Sequence, residues 1–182
     1  MRKRTIFTAA MFLILNAGCI RKYAINKLGD ALTNSGSVYA SDDDPDLIRD
    51  AAPFSLKLIE SLLAESPRHT GLLLAGCRGF TQYAYGFVQD RADRLEDKDI
   101  VESEPLRARA RTLYLRARDY GLRGLDVRHR EFARALRENP QTVSTASRAD
   151  VALLFWTAAS WGAAIAVSKD KPDLIGACFP ES

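Results

Sequence analysis

The chain is 182 residues long, 47% of them hydrophobic and 27% charged, with a formal net charge of +3. Such a composition excludes a disordered polyampholyte and supplies enough apolar material for one core of ordinary domain size. The positive balance says little about polyanionic partners, because Arg2, Lys3 and Arg4 account for it; without them 23 basic residues face 23 acidic ones.

Those three cations open the chain. They are followed by a largely apolar run, Ile6 to Leu15, and by the small pair Ala17-Gly18 before Cys19. This order predicts a secretory leader over residues 1–18, since an apolar run of about ten residues is half of the roughly 20 a permanent span needs. The cysteine after two small residues resembles the lipobox of bacterial lipoproteins, in which the thiol is acylated and becomes the mature N-terminus. Asn16 stands where that motif usually has leucine. Cleavage nearby by an ordinary signal peptidase and an uncleaved anchor are the alternatives.

From residue 19 to residue 182 the pattern predicts one all-α domain. Tyr23, Ala24, Leu28, Ala31 and Leu32 recur at helical spacing, up to a break near Asn34-Ser35-Gly36. Ser41-Asp42-Asp43-Asp44-Pro45 is a start signal, and its three aspartates read as caps for orphan N–H groups rather than as a cation site. The helix after it is expected to bury Ile48, Ala51, Ala52, Ser55, Leu58, Ile59, Leu62 and Leu63, with Pro53 as a kink or a true first turn. Ser66-Pro67-Arg68-His69 turns the chain. A glycine-containing helix is expected from about Thr70 to Asp90, and residues 91–104 read as a charged surface excursion, with the helix running on a turn as the alternative. A further helix starts at Pro105, with Gly121 and Gly124 as candidate breaks. A short one holds Phe132, Ala135 and Leu136 and stops at Asn139-Pro140. The last, from Ala152 to Val167, has no ionised group between Asp150 and Lys169 and is expected at the centre of the helical assembly.

No catalytic constellation is visible. His69 and His129 lie far apart without cysteine or paired-carboxylate neighbours, so no metal-ligand spacing and no cofactor are expected. Glu60 and Glu65 read as solvated carboxylates. The arginines between Arg107 and Arg137 are interleaved with Asp119, Asp126, Glu131 and Glu138, which predicts a solvated helical surface rather than a nucleic-acid site. Cys77 sits in a small apolar run and reads as a buried thiol; one disulfide with Cys178 is the alternative. Phe80, Tyr83, Tyr85, Trp156 and Trp161 are candidate ligand-facing residues along an inner surface, because Tyr and Trp join large apolar area to a polar handle. Plain core packing is the competing reading at this spacing.

Ile59, Leu62 and Pro67 repeat the spacing of Phe132, Ala135 and Pro140. It resembles the second helix of a tetratricopeptide repeat, so antiparallel hairpins of degenerate repeats are expected, with a non-repetitive bundle as the alternative. Longer words carry a family resemblance: Ala40-Ser41-Asp42-Asp43-Asp44-Pro45, Leu62-Leu63-Ala64-Glu65-Ser66-Pro67, Gly79-Phe80-Thr81-Gln82-Tyr83-Ala84-Tyr85, Leu113-Tyr114-Leu115-Arg116-Ala117 and Trp156-Thr157-Ala158-Ala159-Ser160-Trp161-Gly162. Together with the leader they resemble the T-component family associated with TRAP-type transporters.

The resemblance implies a non-enzymatic periplasmic lipoprotein with cryptic tetratricopeptide-like repeats. It implies a TRAP-type solute-binding protein as partner, an organic-acid or related hydrophobic ligand, and homotrimers with a pore-like cavity in each subunit. Ile20 after Cys19, in place of aspartate, resembles outer-membrane rather than inner-membrane sorting. The family continues with further helix pairs where this chain stops at Ser182, so the domain is expected to be incomplete relative to the family. A general interaction scaffold and a truncated remnant are the competing readings.

Overall fold

The computed structural model describes residues 23–33, 41–96, 98–169 and 172–173. The leader, the segment 34–40 and most of the C-terminal segment, with Cys19 and Cys178, lie outside the described residues. Among those described, every regular element is helical. The elements are α1 (residues 23–33), α2 (Pro45–Glu65), α3 (Thr70–Tyr83), a π-helical segment (Ala84–Gln89), α4 (Asp90–Glu96), α5 (Ile100–Arg128), α6 (Phe132–Glu138) and α7 (Val151–Ala166), with two 3-10 turns between α6 and α7.

The start of α2 is the predicted one. Pro45 is the first helical residue, and Asp44 Oδ1 accepts from the backbone N–H groups of Asp46 and Leu47 at 3.1 and 3.0 Å. Pro53 lies inside the helix, which continues through it one N–H short. The His69 ring then caps α3: its Nδ1 accepts from Leu72 N–H at 3.2 Å, which leaves Nε2 as the protonated nitrogen, 3.3 Å from the Asn26 carbonyl of α1. Beside it Ser66 Oγ donates to Asn26 Oδ1 at 2.8 Å. The α2–α3 turn is therefore also the dock for α1. Beneath it Ile59, Leu62, Leu63, Leu72 and Leu73 form a core cluster, and a leucine buried completely contributes roughly 1.5–3 kcal/mol.

Three expectations need correction. The charged stretch 91–104 is not an excursion: α3 runs through the π-helical segment into α4, and α5 already begins at Ile100, capped by Asp99. Gly121 and Gly124 do not break α5, which runs unbroken for 29 residues. They are where α7 comes closest: a Cβ on Gly121 would lie 2.0 Å from Thr157 Oγ1, and one on Gly124 would lie 2.7 Å from Leu153 Cδ2. Missing side chains, not flexible backbone, explain both residues.

The third correction concerns α7 itself. It packs on α5 and α3 with Leu153, Thr157, Ser160 and Ala164 as its buried face, flanked by partly buried Leu154, Trp161 and Ile165. The two hydroxyls are satisfied within the helix, Thr157 donating to the Leu153 carbonyl (2.6 Å) and Ser160 to that of Thr157 (2.9 Å). The opposite face is apolar yet uncovered by any described residue, with Val151 57% and Phe155 60% exposed. Residues Arg148–Ala166 are long and apolar enough to cross a membrane by length and composition, and 28% of that stretch is buried. An apolar sequence marked this helix as central; it is an outer layer of the described fold.

Candidate functional site

An apolar hollow lies in the first helical layer. Residues of α1, α2 and α3 together with Phe87 enclose about 200 Å³ between them, and no residue of α5 or α7 lines it. The walls are mainly apolar, with Ile48, Leu56, Ile59 and Tyr83 among them, and Arg78 and Gln82 bring polar groups to the lining. Helical spacing explains the arrangement. Ala75, Gly79 and Tyr83 fall four apart on α3, so one stripe faces α2, and Arg78 and Gln82 form a neighbouring four-residue pair. Gly79 permits the close approach, since a Cβ there would meet Leu56 Cδ2 at 2.8 Å.

The candidate ligand-facing residues occupy four places. Tyr83 lines the hollow and packs against Phe87, ring centroids 5.6 Å apart. Phe80 is 3% exposed and stacks on Tyr120 at 5.9 Å, with the Arg116 guanidinium over its ring at 5.3 Å. Tyr85 stands 67% exposed on the π-helical segment. Trp156 and Trp161 are half-buried on α7, Trp156 in an edge-to-face pair with Phe155 (5.1 Å) and Trp161 beneath the Arg118 guanidinium (5.6 Å). The structure thus brings only Tyr83 to the hollow, while Phe155 and the two tryptophans share α7. Arg78, Gln82, Leu56 and Phe87 were not singled out by sequence reasoning. The available signal was Arg78, the one charged residue in the otherwise uncharged α3.

The charged residues of α5 are extensively paired. Arg107 meets Glu96, Arg116 lies 3.5 Å from Glu60, Arg118 donates to Asp119 at 2.7 Å, and Arg128 donates to Asp150 at 3.1 Å. Glu60 is not the solvated carboxylate expected, for its side chain is 15% exposed and accepts from Tyr120 Oη at 2.8 Å. Burial alone would raise its pKa, but hydrogen bonds from Lys57 and Tyr120 and the Arg116 charge outweigh it and hold the carboxyl below its ordinary value.

His129 also has a partner that its sequence context did not reveal. Its Nε2 lies 2.9 Å from Asp150 Oδ2, and the same oxygen accepts from Ser147 N–H (2.8 Å) and Ser147 Oγ (2.7 Å). Ser147 and His129 each face the carboxylate rather than one another, so the imidazole does not stand beside the hydroxyl as a triad would require. This clasp fastens the end of α5 to the start of α7. Cys77 is fully buried, and desolvation pushes its thiol up to about 12 against weaker opposing contacts with Thr157, Ser160 and Gly121. It is a neutral packing group, not a nucleophile. Among the described residues no group of three or more His, Cys, Asp or Glu could hold a metal ion.

The described residues thus form a layered all-helical domain with an apolar hollow and an uncovered apolar helix. Residues 41–178 match the TRAP transporter T-component family, TAtT, and the chain belongs to that family. An uncharacterized protein of Treponema pallidum (strain Nichols) is 31% identical over 150 residues, covering 80% of this chain and 45% of the relative. The chain thus spans less than half the length of that relative.

Proposed function

We propose that this protein is a non-enzymatic accessory lipoprotein of a TRAP-type transport system. It is tethered by a lipid on Cys19, faces the bacterial periplasm from the outer rather than the inner membrane, and binds a TRAP-type solute-binding protein. The match of residues 41–178 to the T-component family carries this reading. Its hairpins serve as degenerate tetratricopeptide-like units that present surfaces to partners and assemble as a homo-oligomer, and its hollow takes an organic-acid or hydrophobic ligand with Tyr83 in the wall.

The outer face of α7 is the surface we assign to the solute-binding protein. Phe155, edge-to-face with Trp156, offers an aromatic anchor on this exposed apolar face, the composition typical of the buried centre of a protein interface. Co-purification with a TRAP-type solute-binding protein made in the same cell, whether or not small ligand is added, is the expected result. Capture of other proteins in its place would favour a general scaffold.

The anchor has its own test. Cys19→Ser is expected to lose lipid labelling and move from the membrane to the soluble fraction. Retention of the processed Cys19→Ser chain on the membrane would mean that a lipid on Cys19 is not the tether.

A further inference from the structure

The hollow in the first helical layer is chemically lopsided. Ile48, Leu56, Ile59 and Tyr83 offer hydrocarbon and aromatic surface, while among the described lining residues Arg78 contributes the one full charge. Arg107, Arg116, Arg118, Arg128 and Arg134 each meet an acidic side chain. Arg78 meets none among the described residues, although it is only partly exposed. A guanidinium at an apolar wall, without an acid of its own, is suited to an incoming carboxylate, whose two oxygens match its fork. Gln82, one helical turn further along α3, also lines the hollow and can donate a second hydrogen bond.

Size narrows the ligand further. The enclosed volume of about 200 Å³ is below the roughly 300 Å³ at which pockets for larger organic molecules begin. A dry cavity of about 150 Å³ takes benzene, with six heavy atoms, so a hollow of about 200 Å³ takes about eight. We infer that this hollow binds an aliphatic monocarboxylate of about six carbons, its tail against Ile48, Leu56 and Ile59 and its carboxylate on Arg78. The inference rests on the ligand-binding part of the proposed function and adds its site, its charge and its length.

Titration calorimetry of the purified processed chain with hexanoate, hexan-1-ol and succinate tests each element. Hexanoate is expected to bind, hexan-1-ol to bind at least tenfold more weakly, and succinate, which has charge without an apolar end, to give no measurable heat. Arg78→Gln is expected to weaken hexanoate at least tenfold with little change in melting temperature. Ala52→Phe, which fills the hollow, is expected to abolish binding. Equal binding of hexanoate and hexan-1-ol, unchanged affinity in Arg78→Gln, or no heat with hexanoate would each overturn the inference. The same chains would be tried against the solute-binding protein. If hexanoate binds as predicted while that protein does not, the transport reading falls and the hollow's assignment stands.

Discussion

Gly121→Ala is expected to destabilise the protein by about 3 kcal/mol, near the upper end of ordinary overpacking costs. The added methyl would sit 2.0 Å from Thr157 Oγ1 and 2.9 Å from Cys77 Sγ, inside the contact distance of both. Neither neighbour has an easy retreat, since Cys77 is fully buried and the Thr157 hydroxyl is already bonded to the Leu153 carbonyl. Alanine would improve the intrinsic helix propensity of α5 by about 1 kcal/mol, and the clash should outweigh that gain. At about 2–4 °C per kcal/mol for a chain of this size, the melting temperature should fall by roughly 6–12 °C. Thr157→Ala in the same chain should recover part of the loss, because it removes the nearest atom. Additive losses in that double mutant would show that α5 and α7 do not touch there.

Asp150→Ala is the second substitution with a large expected effect. The carboxylate is 1% exposed and accepts from Ser147 twice, from Arg128 and from His129. Its removal leaves those donors without their acceptor at the start of α7, and a loss of about 3 kcal/mol is expected. The Ser147 hydrogen bonds, with those from His129 and Arg128, hold the Asp150 pKa well below the usual carboxylate range despite the opposing effect of burial. A depressed native pKa means that the charged form stabilises the fold in full above the ordinary unfolded value of about 4. That contribution is lost as pH falls from there toward the native pKa. Urea titrations should therefore find the gap between wild type and Asp150→Asn shrinking from pH 5 to pH 2. A gap constant over that range would mean that the Asp150 charge does not carry the clasp.

Much of the helix order was legible because its signals are local. Asp44-Pro45 caps and starts α2, Ser66 to His69 turn the chain, and Asn139-Pro140 closes α6, each through a few neighbouring residues. Errors arose where a residue's meaning depended on what lay opposite. Gly121 and Gly124 look like breaks until Thr157 and Leu153 occupy the space they leave. Glu60 looks solvated and His129 lacks a partner in its own segment, and they meet Tyr120 and Asp150, 60 and 21 positions away. The apolar run of α7 could be read as a core helix, but hydropathy does not tell how many neighbours are present to cover it. The hollow was the least visible feature, for its walls come from three helices and Phe87, and its charge is a single arginine. Of the five candidate ligand-facing residues, only Tyr83 reaches it, since shared chemistry along a sequence does not make side chains converge.

If this T-component family member works by binding a TRAP-type solute-binding protein, the outer face of α7 is the contact that must matter. Sedimentation velocity on the purified processed chain mixed with a TRAP-type solute-binding protein, for wild type and Phe155→Asp, decides the point. Phe155 is 60% exposed, so the substitution should change stability by no more than about 0.5 kcal/mol. A complex is expected with wild type, and one at least tenfold weaker with Phe155→Asp at equal melting temperature. Failure of the wild-type chain to form any complex, or a complex indifferent to Phe155→Asp, would contradict the proposed role.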